Sequence, residues 1–322
     1  MNTSQKENLQ GKTCLVTGGS RGIGFETAAG LARMGAHVIL VSHVEERLIT
    51  AQERISAESG PEAARYYVAD LSVQDEIHQL ADTVQRDYEQ LDVLINNVGG
   101  WYKTYQESVD GIEMTFALNH LSYFLLTGRL LPLLQKSKHA RIINVSSDAH
   151  QQPKGIRFED IQFQKRYRTF AAYAHSKLAN VLFTYELARR LTGTNLTVNV
   201  LHPGLVETEL YRDFGIFTPV IKLIAKLFGK SETEGAQTPI YLASAPEVAN
   251  TTGKYFIDGE TRKSSPISYD QSQAQRLWEV SEEMTGFTYP LQNPTSEDNY
   301  STVTDFAKLR GWSTSSPSSE AM

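Results

Sequence analysis

Residues 171–180 read AAYAHSKLAN and set Tyr173 four positions before Lys177. Side chains at i and i+4 share one face of a helix, so this phenol and this ammonium meet if the stretch is helical, a pairing able to move protons. With 15 tyrosines in 322 residues, composition alone supplies about 0.65 such pairs. The pair acquires meaning only from the residues and elements that accompany it.

A second candidate for chemistry lies near the N-terminus, where TGGSRGIG occupies residues 17–24 directly after the apolar run TCLV. Glycines at 18, 22 and 24 let the backbone turn sharply and approach a pyrophosphate, which then faces the positive end of the helix that follows. Ser20, Arg21 and Ile23 complete this loop. The spacing is neither the Walker pattern, which ends in Gly-Lys-Ser/Thr, nor G-x-G-x-x-G. Further on, HVILVSHVEERL places Ser42 and His43 at the end of the second apolar run, with Arg47 one turn later. An acidic residue at that strand end selects a free ribose 2'-hydroxyl, whereas basic surroundings accept a 2'-phosphate. No carboxylate stands there, and Arg21 and Arg47 are close by. The expectation is therefore NADP(H) in preference to NAD(H), with Glu45 and Glu46 as competing charges.

The elements that must position these residues alternate along the chain. TCLVTG, HVILVS, ARYYVAD, LDVLINN, ARIINVSS, LTVNVLHPG and GKYFID read as strands, and helical periodicity fills 22–34, 44–58, 72–88, 108–134, 170–190 and 233–243. Near-continuous apolar strands separated by amphipathic helices mean βαβ crossovers, hence an α/β fold with one Rossmann-type, doubly wound parallel sheet of about seven strands and helices on both faces. No linker or repeat divides the region. One domain is expected over 1–288, with a polar, Ser- and Thr-rich tail at 289–322.

Composition narrows the function. A net charge of -6 opposes a phosphate-backbone partner, so nucleic acid is not expected. The single cysteine, Cys14, lies in an apolar strand and reads as a buried structural thiol. The histidines have no metal-ligand spacing, so no metal site is assigned. The N-terminal residues show no apolar signal region, and no apolar run reaches about 18 residues, which suggests a soluble, cytoplasmic protein.

Taken in order, TGGSRGIG, NNVG at 96–99, ALNHLSYFLLT at 117–127, RIINVSS at 141–147, Tyr173 with Lys177, and HPG at 202–204 resemble the short-chain dehydrogenase/reductase family and, within it, the retinol-dehydrogenase-like group. The resemblance covers about residues 10–286, and SYDQSQAQRLWEVSEEMTG looks like the group's final helix. It implies hydride transfer between a nicotinamide and a carbonyl or alcohol. Tyr173 would be the general acid/base, Lys177 would lower its pKa and hold the nicotinamide ribose, Ser147 would hydrogen-bond the substrate oxygen, and Asn119 would hold a relay water. Asp70, with Leu71 beside it, would meet the adenine; Asn97, Val98 and Gly99 would line the adenosine side; Pro203, Gly204, Val206 and Thr208 would lie along the nicotinamide. Val98 departs from the family's usual alanine. The interval from Ser147 to Tyr173 carries an insertion, QQPKGIRFEDIQFQKRYRTF, which the retinol-dehydrogenase-like group also has and which would wall the active-site mouth.

FGIFTPVIKLIAKLFGK, residues 214–230, is apolar with spaced lysines. It reads as part of a substrate lid over about 207–231, implying a lipophilic substrate; an interfacial membrane helix is the alternative. Two other functions remain open on the same fold: a catalytically silent NADP(H) sensor or scaffold, and a protochlorophyllide-reductase-like enzyme. Family resemblance also implies a homo-oligomer built through 108–134 and 170–190.

Overall fold

The computed structural model describes residues 9–204 and 230–291. Val206, Thr208 and all but the last two residues of the expected lid lie outside them, as does most of the expected tail.

Eight strands form one sheet in the order β3-β2-β1-β4-β5-β6-β7-β8. The first seven, β1 (Thr13–Thr17), β2 (His37–Ser42), β3 (Ala64–Val68), β4 (Val93–Asn96), β5 (Ala140–Val145), β6 (Leu196–His202) and β7 (Tyr255–Ile257), pair in parallel. β8 (Glu260–Arg262) returns antiparallel to β7. This polar strand is the one absent from the sequence reading, because ETR offers no apolar run. Its hairpin is nevertheless written in Asp258-Gly259, both at positive φ (56° and 75°), the pairing that a two-residue turn between strands requires.

The strand order reverses between β1 and β4, and a crevice at the carboxyl ends of a parallel sheet opens at such a switch point. The glycine loop leaves β1 there and NNVG leaves β4. Every residue of β4 and of β5 is buried, as both-face coverage demands. On one face α1 (Gly22–Ala32), α2 (Glu45–Ser59) and the helix Gln237–Ser244 share an apolar core with β1 and β2. On the other lie α3 (Gln74–Asp87), α5 (Ser122–Leu134) and α6 (Thr169–Arg190).

Two helices differ from their periodicity. The apolar pattern over 108–134 becomes helical only at Met114, because Gly111 (φ 71°) lets 108–112 close a turn, with Ser108 N–H donating to the Ile112 carbonyl at 2.8 Å. Glu113 then caps α4 (Met114–Phe116), its carboxylate accepting from the amides of Thr115 (2.9 Å) and Phe116 (2.8 Å). A π-turn, Ala117–Leu121, joins α4 to α5. The pattern over 233–243 splits into Glu232–Gly235 and Gln237–Ser244. Pro239 has no N–H to offer the Gly235 carbonyl, which is where the first piece stops.

The C-terminal helix Gln271–Thr285 lies against α6. Its Trp278 sits 5.1 Å from the Phe124 ring of α5 and stacks on Phe183 of α6 at 5.9 Å, while Tyr289 donates to the Phe124 carbonyl at 2.5 Å. With this cover, every residue from Ala172 to Leu187 is buried. Part of the α6 surface is therefore covered by the helix Gln271–Thr285. Phe124, fully buried in this aromatic cluster, offers a measure of the docking: Phe124→Ala should destabilise the protein by about 3–5 kcal/mol through lost transfer energy and a residual cavity. The shift of the urea midpoint reads it, and a loss under about 1 kcal/mol would mean that the cluster collapses without cost.

Candidate active site

Thr17, last residue of β1, organises the crevice. Its hydroxyl accepts from the amides of Asn97 (2.9 Å) and Val98 (3.0 Å), and its carbonyl accepts from the Asn97 side-chain amide at 2.8 Å. Asn97 is thus a brace between β1 and β4 as well as a lining residue. Val98 fits without disturbing the loop: half-buried, it gives its carbonyl to the Tyr123 hydroxyl at 2.8 Å.

The glycine loop shows why its positions are glycine. Gly18 has φ 66°, and a Cβ at Gly24 would lie 2.2 Å from the Gly18 carbonyl oxygen and 2.6 Å from Asn97 Nδ2. Helix α1 can approach the loop this closely only with no side chain there. Its N-cap, Arg21, makes no side-chain cap hydrogen bond, and the Glu232 carboxylate stands 3.5 Å from where a Cβ on Gly22 would be. A cradle of this shape at the start of an eleven-residue helix fits a pyrophosphate. Ile23 packs its apolar side chain into the core beneath. Ser20 donates to the Ser42 hydroxyl at 3.1 Å, tying the loop to the end of β2, where His43 and Arg47 are exposed, as is Arg21. Asp70 Oδ1 accepts from the amide and hydroxyl of Ser72 and closes the turn after β3, with Leu71 buried behind it. Pro203 and Gly204 are half-buried past the end of β6. A Cβ on Gly204 would meet the Lys230 side chain at 2.8 Å.

Tyr173 and Lys177 are on one helix and both are buried, 9% and 4% exposed. Lys177 Nζ donates to the Val145 carbonyl at 3.2 Å and stands 5.6 Å from the centre of the Tyr173 ring. Burial pushes its pKa down to about 7. Ser146 donates to the Lys177 carbonyl at 2.8 Å, so the end of β5 is bonded to α6 at two points, one on either side of the lysine. The next residue, Ser147, is half-buried and caps the 3-10 turn Asp148–Gln151, its hydroxyl accepting from the Ala149 amide at 3.2 Å.

Asn119 occupies the π-turn, a local widening of a helix that often marks a functional position. Its side-chain oxygen accepts from the Gly100 amide at 2.8 Å, and its Nδ2 donates to the Gly100 carbonyl and to the Ser176 hydroxyl, both at 2.9 Å. Ser176 in turn donates to the Tyr173 carbonyl at 2.7 Å. A Cβ on Gly99 would lie 3.3 Å from Lys177 Nζ and 3.4 Å from Asn119 Oδ1, so NNVG, Asn119 and Lys177 converge on one point. Among the described residues, no group of three or more His, Cys, Asp or Glu is arranged to hold a metal ion.

Several residues of this site are absent from the sequence reading. Trp101 meets the Tyr173 ring edge-on, centroids 5.9 Å apart at 87°. The insertion fixes that loop: Tyr167 donates to the Tyr102 carbonyl (2.8 Å) and Thr169 to the Lys103 carbonyl (3.0 Å). Asn180 donates to the Asn119 carbonyl at 2.9 Å. Spacing on α6 could have found Ser176 and Asn180, since they stand three and seven residues after Tyr173 on its side of the helix.

A family model described as short chain dehydrogenase matches residues 12–215. Retinol dehydrogenase 14 of Homo sapiens is 42% identical over 294 residues, covering 86% of this chain and 87% of that protein. Polyprenol dehydrogenase of Homo sapiens is 38% identical over 282 residues, covering 85% of each. Among solved structures, a short chain dehydrogenase from Shigella flexneri complexed with NADP superposes with a TM-score of 0.65 at 27% identity, covering 80% of this chain and 100% of that one. The ordered motifs, the crevice at the switch point and these likenesses together place the chain in the short-chain dehydrogenase family, among its retinol-dehydrogenase-like members.

Proposed function

We propose that this oxidoreductase of CH–OH and C=O groups, a nicotinamide-dependent enzyme by its family, uses NADP(H) on a lipophilic alcohol or carbonyl, with Tyr173 as general acid/base. One observation carries the reading: a buried ammonium beside the Tyr173 ring, at the meeting point of the β4 loop, the β5 end and the π-turn.

Gly18, Gly22 and the start of α1 would hold the pyrophosphate, Asp70 and Asn97 the adenosine, and Lys177 the nicotinamide ribose, with Pro203 and Gly204 beside the ring. When bound, the nicotinamide supplies or accepts the hydride. The chain's own groups manage the proton. Lys177, held by the Val145 carbonyl, places positive charge near the phenol and favours its ionised form, so that Tyr173 takes a proton from an alcohol or returns one to a developing alkoxide. Ser147 donates its O–H to the substrate oxygen, while its hydroxyl oxygen accepts from the Ala149 amide. Asn119 keeps Gly100 and the neighbouring β4 loop in register with Lys177. Preference for NADP(H) is supported by the exposed Arg47, Arg21 and His43 around Ser42 and by the NADP complex of the Shigella relative. An apolar substrate is supported by the Trp101 ring against Tyr173, by the exposed Phe170 three residues before it on α6, and by relatives named for retinol and polyprenol.

Following NADPH absorbance with a panel of apolar carbonyls tests the core of this. Tyr173→Phe should lower kcat by about 10²–10⁴ while NADPH still binds; full turnover in the variant would overturn the proton-transfer role, and binding without turnover by the wild type would favour a cofactor sensor. NADPH should bind more tightly than NADH, and Arg47→Glu should narrow the ratio by about tenfold. Equal dissociation constants in the wild type would refute the Arg47 argument.

Lys177 yields a pH test. Its folded pKa of about 7 lies below the 10.5 of the free group. The cost of burying the cation is therefore fully present below pH 7, and is relieved as pH rises toward 10.5, where the unfolded chain still binds a proton that the folded one has released. Cofactor-free protein should gain stability from this group between those limits, and Lys177→Met should lack that gain. Parallel urea midpoints for the two proteins across the range would show the lysine to be fully solvated instead.

A further inference from the structure

We propose that His150 is a positioning residue for Ser147: its Nδ1–H holds the Ser147 carbonyl, and the Ser265 amide holds the ring in the orientation that makes this bond possible. The inference rests on the reading of Ser147 as the hydroxyl that binds the substrate oxygen.

The His150 ring is fully buried. Nδ1 lies 2.7 Å from the Ser147 carbonyl oxygen, and Nε2 accepts from the Ser265 amide at 3.0 Å. A backbone N–H only donates, so Nε2 must be unprotonated; a carbonyl only accepts, so Nδ1 must carry the proton. The two partners therefore select one neutral tautomer, and burial, which lowers the ring's pKa, acts in the same direction. The Tyr255 ring packs against the imidazole at 4.9 Å, and Asp148 and His202 are the titratable neighbours.

An ordinary core histidine would satisfy its nitrogens wherever partners happen to be. This one bonds the residue three positions earlier that carries the candidate catalytic hydroxyl. The 3-10 turn after Ser147 is only four residues long, and the Ser147 carbonyl is its anchor: it accepts from the His150 amide at 3.1 Å as well as from the His150 ring. The same turn brings the Ala149 amide onto the Ser147 hydroxyl. Loss of the ring bond leaves the Ser147 carbonyl with one backbone bond, that from the His150 amide, to hold the turn that directs the hydroxyl. The far end of the clamp is firm, because Ser264, next to Ser265, bonds the Tyr185 hydroxyl of α6 at 2.7 Å. His150 thus ties Ser147 to the segment that precedes the C-terminal helix, and through it to the helix that carries Tyr173.

Three substitutions separate this role from packing. His150→Asn places an amide N–H where Nδ1 stands and keeps the bond to Ser147; His150→Gln reaches toward Ser265 and keeps that bond instead; His150→Phe keeps neither. We expect His150→Asn to retain kcat within about threefold while His150→Gln and His150→Phe lose about tenfold or more, with NADPH affinity unchanged in all three. Equal kcat in the Asn and Gln variants, wild-type kcat in the Phe variant, or losses that simply track Tm would overturn the proposal. Tyr173→Phe, measured alongside, keeps the two readings apart: turnover surviving in that variant defeats the acid/base role, whereas a dead Tyr173→Phe with a flat His150 series defeats only this inference. A measurement on the wild type covers variants that do not fold. Histidine-labelled protein should show, in long-range 1H–15N spectra with contacts to the Tyr255 ring, one Nδ1–H tautomer unchanged from about pH 6 to about 8; an Nε2–H tautomer, or a titration in that range, would overturn it.

Discussion

The site depends on a cation held where water does not reach. Lys177 is nearly inaccessible and has one fixed acceptor, the Val145 carbonyl, 3.2 Å from Nζ at the last residue of β5. A charge in such a place is costly unless polar groups surround it. The surrounding groups are also the ones that define the site: the exposed edge of Gly99, the Asn119 side chain and the Tyr173 ring. Ser146, anchored on the lysine's own carbonyl, prevents α6 from sliding along β5 to relieve the strain of that burial. Chemistry and architecture are therefore coupled through one side chain. The helix must stay where the cation has its carbonyl, and that position holds the Tyr173 ring beside the ammonium.

What keeps the helix there is a ladder of buried amides and hydroxyls beneath the crevice. Asn96 of β4 donates to Asn144 of β5 and to Thr127 of α5, each at 2.9 Å; Asn144 donates to Thr184 of α6, also at 2.9 Å. Thr184 continues to the Asn180 carbonyl, and Asn180 to the carbonyl of Asn119 in the π-turn. Each link has a defined donor and a defined acceptor, and buried networks of this kind favour one arrangement over near alternatives because any shift leaves a group unpaired. The apolar core on either side supplies stability without choosing a register to a fraction of a residue; the ladder makes that choice.

The parts of this molecule that were legible in the sequence are those set by local rules. Strand and helix periods gave the doubly wound order, and Gly18, Gly22 and Gly24 announced the loop because φ and close approach exclude other residues there. The end of β2 could be assessed for a 2'-phosphate because strand ends fall at fixed places in such a sheet. The hidden parts are set by distant partners. Nothing around Thr17 distinguishes it from any threonine closing a strand, since its meaning lies in two amides eighty residues away. The break of 108–134 at the π-turn follows from Asn119 being claimed by Gly100 and Ser176, which a periodicity cannot express. β8 was hidden for the opposite reason: its turn was plain in Asp258-Gly259, but three polar residues at a sheet edge carry no burial pattern.

The insertion and the C-terminal helix show how an active-site wall is built from segments with little regular structure of their own. Between the turn that ends at Gln151 and the start of α6 at Thr169, the insertion holds one short 3-10 turn and would not fold alone. It is fixed from two sides. Tyr167 and Thr169 bond the carbonyls after Trp101, while the Ile156 amide donates to Gln273 of the C-terminal helix at 2.8 Å and Phe158 and Ile161 pack into the apolar cluster that includes Ala274 and Leu277. Trp101 keeps its place against Tyr173 because a loop is pinned by an insertion that is pinned by a helix more than a hundred residues further on. The same helix packs on α6, whose residues from Ala172 to Leu187 are all buried. Departure of the helix would release the insertion, the Trp101 loop and the segment that holds His150 together. The helix that closes the surface is in this sense a structural condition of the active site, and the position of the wall follows from the docking of the helix Gln271–Thr285.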